Sequence, residues 1–96
     1  MSSTPNFFSK VSVTSVNFAD KNTPDVYITF QTNGVMFYNE SETSIVEVSF
    51  DGINVHDELN PAFASRGVVY DNRSVAGIWF RLKAGSNATV AVRAWG

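Results

Sequence analysis

Val75-Ala76-Gly77-Ile78-Trp79-Phe80-Arg81-Leu82-Lys83 is followed, after Gly85-Ser86-Asn87, by Ala88-Thr89-Val90-Ala91-Val92-Arg93-Ala94-Trp95, and these two runs decide the fold. Ile78, Phe80 and Leu82 recur at every second position, as do Val90 and Val92. A period of two is the signature of a strand with one face buried. The reading extends upstream. Gly67 to Tyr70 is a short strand carrying Val69 inward. Ile45 to Phe50 places Val46, Val48 and Phe50 on one face and Glu47 and Ser49 on the other. Val26 to Phe30 alternates in the same way. Lys10 to Phe18 changes phase between Val13 and Val16, which predicts a bulge near Thr14-Ser15, with Phe18 returning to the core.

The punctuation between these runs is turn chemistry. Asn33-Gly34 and Asp51-Gly52 are hairpin signals, because both residue types tolerate positive φ. Val35 to Tyr38 and Ile53 to Val55 are then the returning strands. His56 to Arg66 is a longer connection interrupted by Pro61 and too short for a stable helix. The sum is about eight short strands and no segment of helical period. The expected architecture is all-β: a single antiparallel β-sandwich or jelly roll over residues 10–96, preceded by an extended N-terminal arm over residues 1–9 that ends near the pair Phe7-Phe8.

Composition narrows the function. The chain has 96 residues, no Cys and a net charge of −2. Without Cys there is neither a disulfide framework nor a thiolate metal site. The seven Lys and Arg are scattered, so the basic stripe that nucleic acid requires is missing. No run approaches the length of a membrane-spanning helix, and the N-terminus has no secretion signal pattern. The expectation is a protein made in the cytoplasm that binds neither nucleic acid nor membrane. Charged residues are 17% against roughly 25% in typical globular chains, and aromatics are 14%. In a small domain that balance points to surface covered by a partner.

Catalytic constellations are absent from the pattern. His56, the one histidine, lies in Val55-His56-Asp57-Glu58, where a backbone-bonded loop role outweighs that of a general base. No serine sits on a nucleophile elbow. Asp57-Glu58 and Asp71-Asn72 offer oxygen ligands but lack the dense spacing of a calcium loop. No enzyme activity and no cofactor are expected. Trp79 alternates with Ile78 and Phe80 and so points away from the core, beside Arg81. An outward Trp next to a cation fits an interface anchor, a ring covered by a loop or by the arm, or a sugar platform. Trp95 carries the same alternatives. Phe7, Phe8, Trp79, Arg81 and Trp95 are therefore the candidate partner-binding residues.

The stretch Ile45-Val46-Glu47-Val48-Ser49-Phe50-Asp51-Gly52-Ile53-Asn54-Val55-His56-Asp57-Glu58-Leu59-Asn60-Pro61, with Asp71-Asn72-Arg73, Ile78-Trp79-Phe80-Arg81 and Ala94-Trp95, resembles small virion structural proteins of tailed bacteriophages. The resemblance covers roughly residues 35–96. It implies a non-enzymatic β-sandwich component of a virion assembled in the bacterial host. Capsid decoration or cementing is the first expectation, with the major capsid protein or other virion proteins as partners and a homo-oligomer, preferably a trimer, as the working unit. A head–tail adaptor, a tail or baseplate piece, or a carbohydrate-binding module are the alternatives.

Overall fold

The computed structural model describes residues 6–60, 68–71 and 74–96. Eight strands form two antiparallel four-stranded sheets: β1 (Asn6–Val13), β2 (Val26–Tyr27), β3 (Gly34–Asn39), β4 (Ile45–Ser49), β5 (Asp57–Leu59), β6 (Val68–Asp71), β7 (Gly77–Ala84) and β8 (Ala88–Trp95). One sheet has the order β1-β8-β3-β6 and the other β2-β7-β4-β5. The expected β-sandwich is present. Its order follows from one rule: β1 pairs β8, β2 pairs β7, β3 pairs β6 and β4 pairs β5. The chain is a long folded-over ribbon, wound so that successive strand pairs alternate between sheets, which is jelly-roll connectivity. Its tip is the β4–β5 hairpin, the one connection between consecutive strands that stays within a sheet.

This winding corrects several local expectations. Asn33-Gly34 is not a hairpin, since β2 and β3 lie in different sheets. Gly34 opens β3, opposite Trp95, and its φ is not positive. Asp51-Gly52 does turn the chain, with Gly52 at φ 78°, but the returning strand is Asp57–Leu59 rather than residues 53–55. The phase change after Val13 marks an exit from the sheet, not a bulge: β1 ends there and the chain crosses to the other sheet, leaving Val16 exposed. Residues 6–9, expected in the arm, are the first half of β1 and pair from Asn6↔Trp95 to Ser9↔Val92. Residues 1–5 of the arm, residues 61–67 of the long connection, and Asn72-Arg73 lie outside the described residues.

The core lies where the inner faces meet. Phe37 is fully buried, with Phe80 at 5.9 Å, Phe50 at 6.0 Å and Tyr70 at 6.1 Å between ring centroids. The Phe80 and Tyr70 contacts are edge-on, the arrangement ring quadrupoles favour. Val35, Val46, Val48, Ile78, Val90 and Val92 are likewise fully buried in the same cluster. Two expected core residues are elsewhere. Val69 stands outward on β6, half exposed, because its register partner is the outward Met36. Phe18 is half-buried beneath Arg81 rather than between the sheets.

Polar side chains tie the layers together. Asn39, at the end of β3, is 4% exposed. Its amide donates to the carbonyls of Ser44 (2.8 Å), Leu59 (3.3 Å) and Asn60 (3.2 Å), and its Oδ1 accepts from Ser41 N–H at 2.9 Å. One side chain thus fastens the first sheet, the β3–β4 loop and the end of β5. Tyr70 adds a second tie by donating its hydroxyl to Asp57 of β5. Removing a buried donor leaves its acceptors desolvated and unmatched, at about 1–3 kcal/mol for a single group. Asn39→Ala is therefore expected to lose about 2–4 kcal/mol in urea titrations; a change within about 0.5 kcal/mol would contradict this role.

Candidate functional site

The two sheets show unlike outer faces. On β1-β8-β3-β6 the outward positions form rows, one of which reads Phe8–Arg93–Met36–Val69 across all four strands. Phe8 is 56% exposed, Val69 50% and Tyr38 38%. Ala91 and Met36 fill between them. The Arg93 guanidinium lies 5.1 Å from the Phe8 ring centroid, a distance that favours cation–π attraction. Trp95 lies flat over Gly34: a Cβ there would fall 2.2 Å from the Trp95 ring. Glycine at this position is what lets the indole cover the sheet. At the border, Lys10 pairs with Glu40 at 2.8 Å. The result is an outer face with apolar side chains in its middle rows around Arg93, the Lys10–Glu40 pair at its margin, and polar Asn6, Ser12 and Thr89 on its end rows.

The other outer face is covered over β7 and β4, while Tyr27 on the short edge strand β2 stands 68% exposed. Trp79 does point away from the core, as its alternation implies, but it is only 6% exposed. Its indole N–H donates to the carbonyl of Asp20 at 3.0 Å. Gly52 and Gly77 leave room for it, since a Cβ on either would come within about 3.0 Å of the ring. The segment holding Asp20, Lys21 and Pro24 and the tip holding Gly52 roof it over. Beside it Arg81 donates to Glu47 at 2.8 Å and stacks on Phe18 at 4.3 Å. Lys83 pairs with Glu58 at 2.8 Å. Glu58 and Glu47 are opposite each other, so these two cations relieve a like-charge pair.

The five partner-binding candidates therefore separate. Phe8 and Trp95 share the open apolar face. Phe7 turns inward and packs against the core. Trp79 is covered, and Arg81 is committed to Glu47 and Phe18. Met36, Tyr38 and Val69 were missed as surface residues. For Met36 and Tyr38 the signal was present in the outward phase of β3, but only the winding shows that Val69 of β6 faces outward beside them.

The β4–β5 tip is ordered by one carboxylate. Asp51 Oδ1 accepts from the N–H groups of Ile53 and Asn54, each at 2.8 Å, and Oδ2 accepts from the Asn54 amide. These donors, led by the Asn54 N–H, hold the Asp51 carboxyl well below the usual carboxylate range. His56 Nδ1 accepts from Phe50 N–H at 3.0 Å. The proton of the neutral ring accordingly sits on Nε2, which faces Asp51 at 3.9 Å. The histidine is a backbone-bonded loop residue.

A cleft of about 260 Å³ opens where β1 crosses between the sheets, lined by Ser12, Thr14, Asn17, Phe18, Asp25 and Phe80 among others. Its carboxylate, Asp25, accepts the Phe80 N–H at 2.9 Å. Among the described residues, no three His, Asp or Glu side chains gather as metal ligands. Asp57 is bonded to Tyr70 and Glu58 to Lys83, while the Asp71-Asn72 pair falls where side chains are not described. No known protein family model, curated protein or solved structure matches the chain.

Because the Asp51 carboxyl titrates lower in the folded than in the unfolded chain, its contribution is complete above the ordinary carboxylate pKa, about 3.9, and is lost as pH falls towards the folded value. Asp51→Ala is expected to be less stable than the parent at neutral pH, with the gap narrowing progressively below pH about 4. Thermal melts of both proteins along a pH series measure it; a gap unchanged into strong acid would rule out the ionised cap.

Proposed function

We propose that this chain is a non-enzymatic virion structural protein of a tailed bacteriophage that decorates or cements the capsid. It is assembled from the host cytoplasm onto the shell through the outer face of β1-β8-β3-β6. The contrast between the two outer faces carries the reading. One is roofed and ion-paired over its inner strands, with a single exposed ring, Tyr27, at its β2 edge, while the other leaves Phe8, Tyr38 and Val69 exposed on three strands with Arg93 among them. Aromatic, Met and Arg enrichment around a flat apolar centre is the composition of protein–protein interfaces. Three further points support it. The sequence resembles phage virion components over residues 35–96. Charged residues are few. Jelly rolls also recur in viral capsid proteins, although that last point is analogy at the level of the fold.

Binding of this kind needs no cofactor. Burying apolar area contributes about 25 cal/mol per Å² before the costs of association are subtracted, so a shell component with many copies gains stability from modest contacts repeated. A head–tail adaptor or baseplate piece would use the same face, and copy number separates it from decoration. The sugar-binding alternative drew on Trp79, Trp95 or Tyr70; Trp79 is covered, while Trp95 and Tyr70 are half-buried.

Quantitative mass spectrometry of purified particles tests the assignment. Near-stoichiometric copies against the major shell protein are expected; a handful would move the protein to the neck or tail, and absence would end the virion reading. In particles carrying a Phe8→Ser, Val69→Ser variant, occupancy is expected to fall at least about tenfold, equivalent to 1.4 kcal/mol. The isolated variant should melt close to the parent, because both side chains are exposed.

A further inference from the structure

The sheet edges are not treated alike. β2 has two residues and β5 three, and such short edges offer little to a foreign strand. β1 runs for eight residues with β8 on one side and, among the described residues, no strand on the other. It has neither Pro nor Gly, and its pairing with β8 runs without a bulge. Its one charge, Lys10, is the residue type that ordinarily guards an edge. Here the Lys10 ammonium is drawn across β8, past Ala91, to Glu40 at 2.8 Å. The guard faces away from the edge.

We propose that β1 pairs antiparallel with β1 of a second copy about a twofold axis through Ser9, fusing two four-stranded sheets into one. The backbone supplies the adhesion, since an open strand presents a row of N–H and C=O groups that another strand satisfies. The side chains select the register. Phe7, Ser9, Val11 and Val13 face inward, and Asn6, Phe8, Lys10 and Ser12 outward. Directly opposed residues share a face, so an inward residue must meet an inward one. Centring on Lys10 sets Phe8 against Ser12 and Val11 against Ser9, which leaves the exposed ring without apolar cover. Centring on Phe8 shortens the pairing and sets Phe7 against Ser9. Centring on Ser9 sets Phe7 against Val11 of the second copy on the inner side and Phe8 against the Lys10 stem on the outer side. Two half-buried apolar side chains and one exposed ring gain cover together. The contact is isologous and consumes both edges, so it closes at two copies. This contact is twofold, whereas the resemblance implies a trimer, and it does not rest on the virion reading.

The full chain provides its own probe, because it contains no cysteine. Residues opposed across an antiparallel pair have Cα atoms about 4.5–5.5 Å apart, within disulfide range. Sedimentation of the unaltered protein is expected to show a concentration-dependent monomer–dimer equilibrium. Under mild oxidation Ser9→Cys should form a covalent dimer at least about tenfold faster than Phe8→Cys or Lys10→Cys, which oppose themselves only in the rejected registers. A monomer at all concentrations overturns the proposal. So does open-ended association, or a fastest crosslink at residue 8 or 10. Particle occupancy, read separately, would be untouched by any of these failures.

Discussion

A two-residue strand cannot hydrogen-bond an eight-residue one, and the structure is organised by how that mismatch is resolved. β7 is an inner strand of its sheet and carries Ile78, Phe80 and Leu82 into the core, yet β2 covers only Ile78 and Gly77. The remaining groups find other partners. Ile28 N–H donates to the carbonyl of Ala76, the Asp25 carboxylate accepts Phe80 N–H, and the Ser15 carbonyl accepts Leu82 N–H. Each buried N–H left alone would cost about 1–3 kcal/mol, a large share of the stability of a small domain. The chain leaving β1 is therefore drawn across to the edge of the opposite sheet. That crossing turns the β1–β2 connection into a corner, places Phe18 under Arg81, and opens the cleft between them. The stretch continuing from it supplies Asp20, whose carbonyl anchors the Trp79 indole.

The same economy of polar groups explains which parts of the fold could be read from the sequence. β4, β7 and β8 are long enough, and buried enough on one face, for alternation to reveal them residue by residue. The Asn33-Gly34 pair misled because a glycine can serve steric room as well as positive φ. Gly34 serves the first, making space for an indole that arrives from the far end of the chain. Gly85 needs both, at φ 94° with Ser44 Oγ where a Cβ would point. Asn39 was equally invisible: its partners lie up to 21 residues away, and an Asn after a strand looks like any loop residue. The candidate site followed the same division. Outward phase marked Trp79 as pointing away from the core, but coverage depends on what other segments lay over it, which is a tertiary fact.

Coverage also accounts for the difference between the outer faces. On the covered face, two pieces of chain converge over Trp79, and the ion pairs of Glu47 and Glu58 give these side chains intramolecular partners. Exposed pairs of that kind stabilise by at most about 1 kcal/mol, but they leave few groups that a partner could improve upon. On the open face, among the described residues, no segment lies over Phe8, Tyr38 or Val69. Their exposure is a standing hydration cost that the fold does not relieve by itself.

Edges and faces make one argument when taken together. The sheet whose outer face is roofed is also the one with the short strands at its borders, and what β2 leaves open on β7 is filled from within the chain. The sheet whose outer face is bare also carries the long open strand, with its Lys drawn back across β8. A monomer under selection only for solubility would be expected to blunt the open edge before the short ones, since length is what makes an edge adhesive. The structure does the opposite. Phe8 belongs to both features, half exposed on the bare face and central in the bare strand. Covering one would therefore cover part of the other, because the exposed face and the open edge meet at this residue.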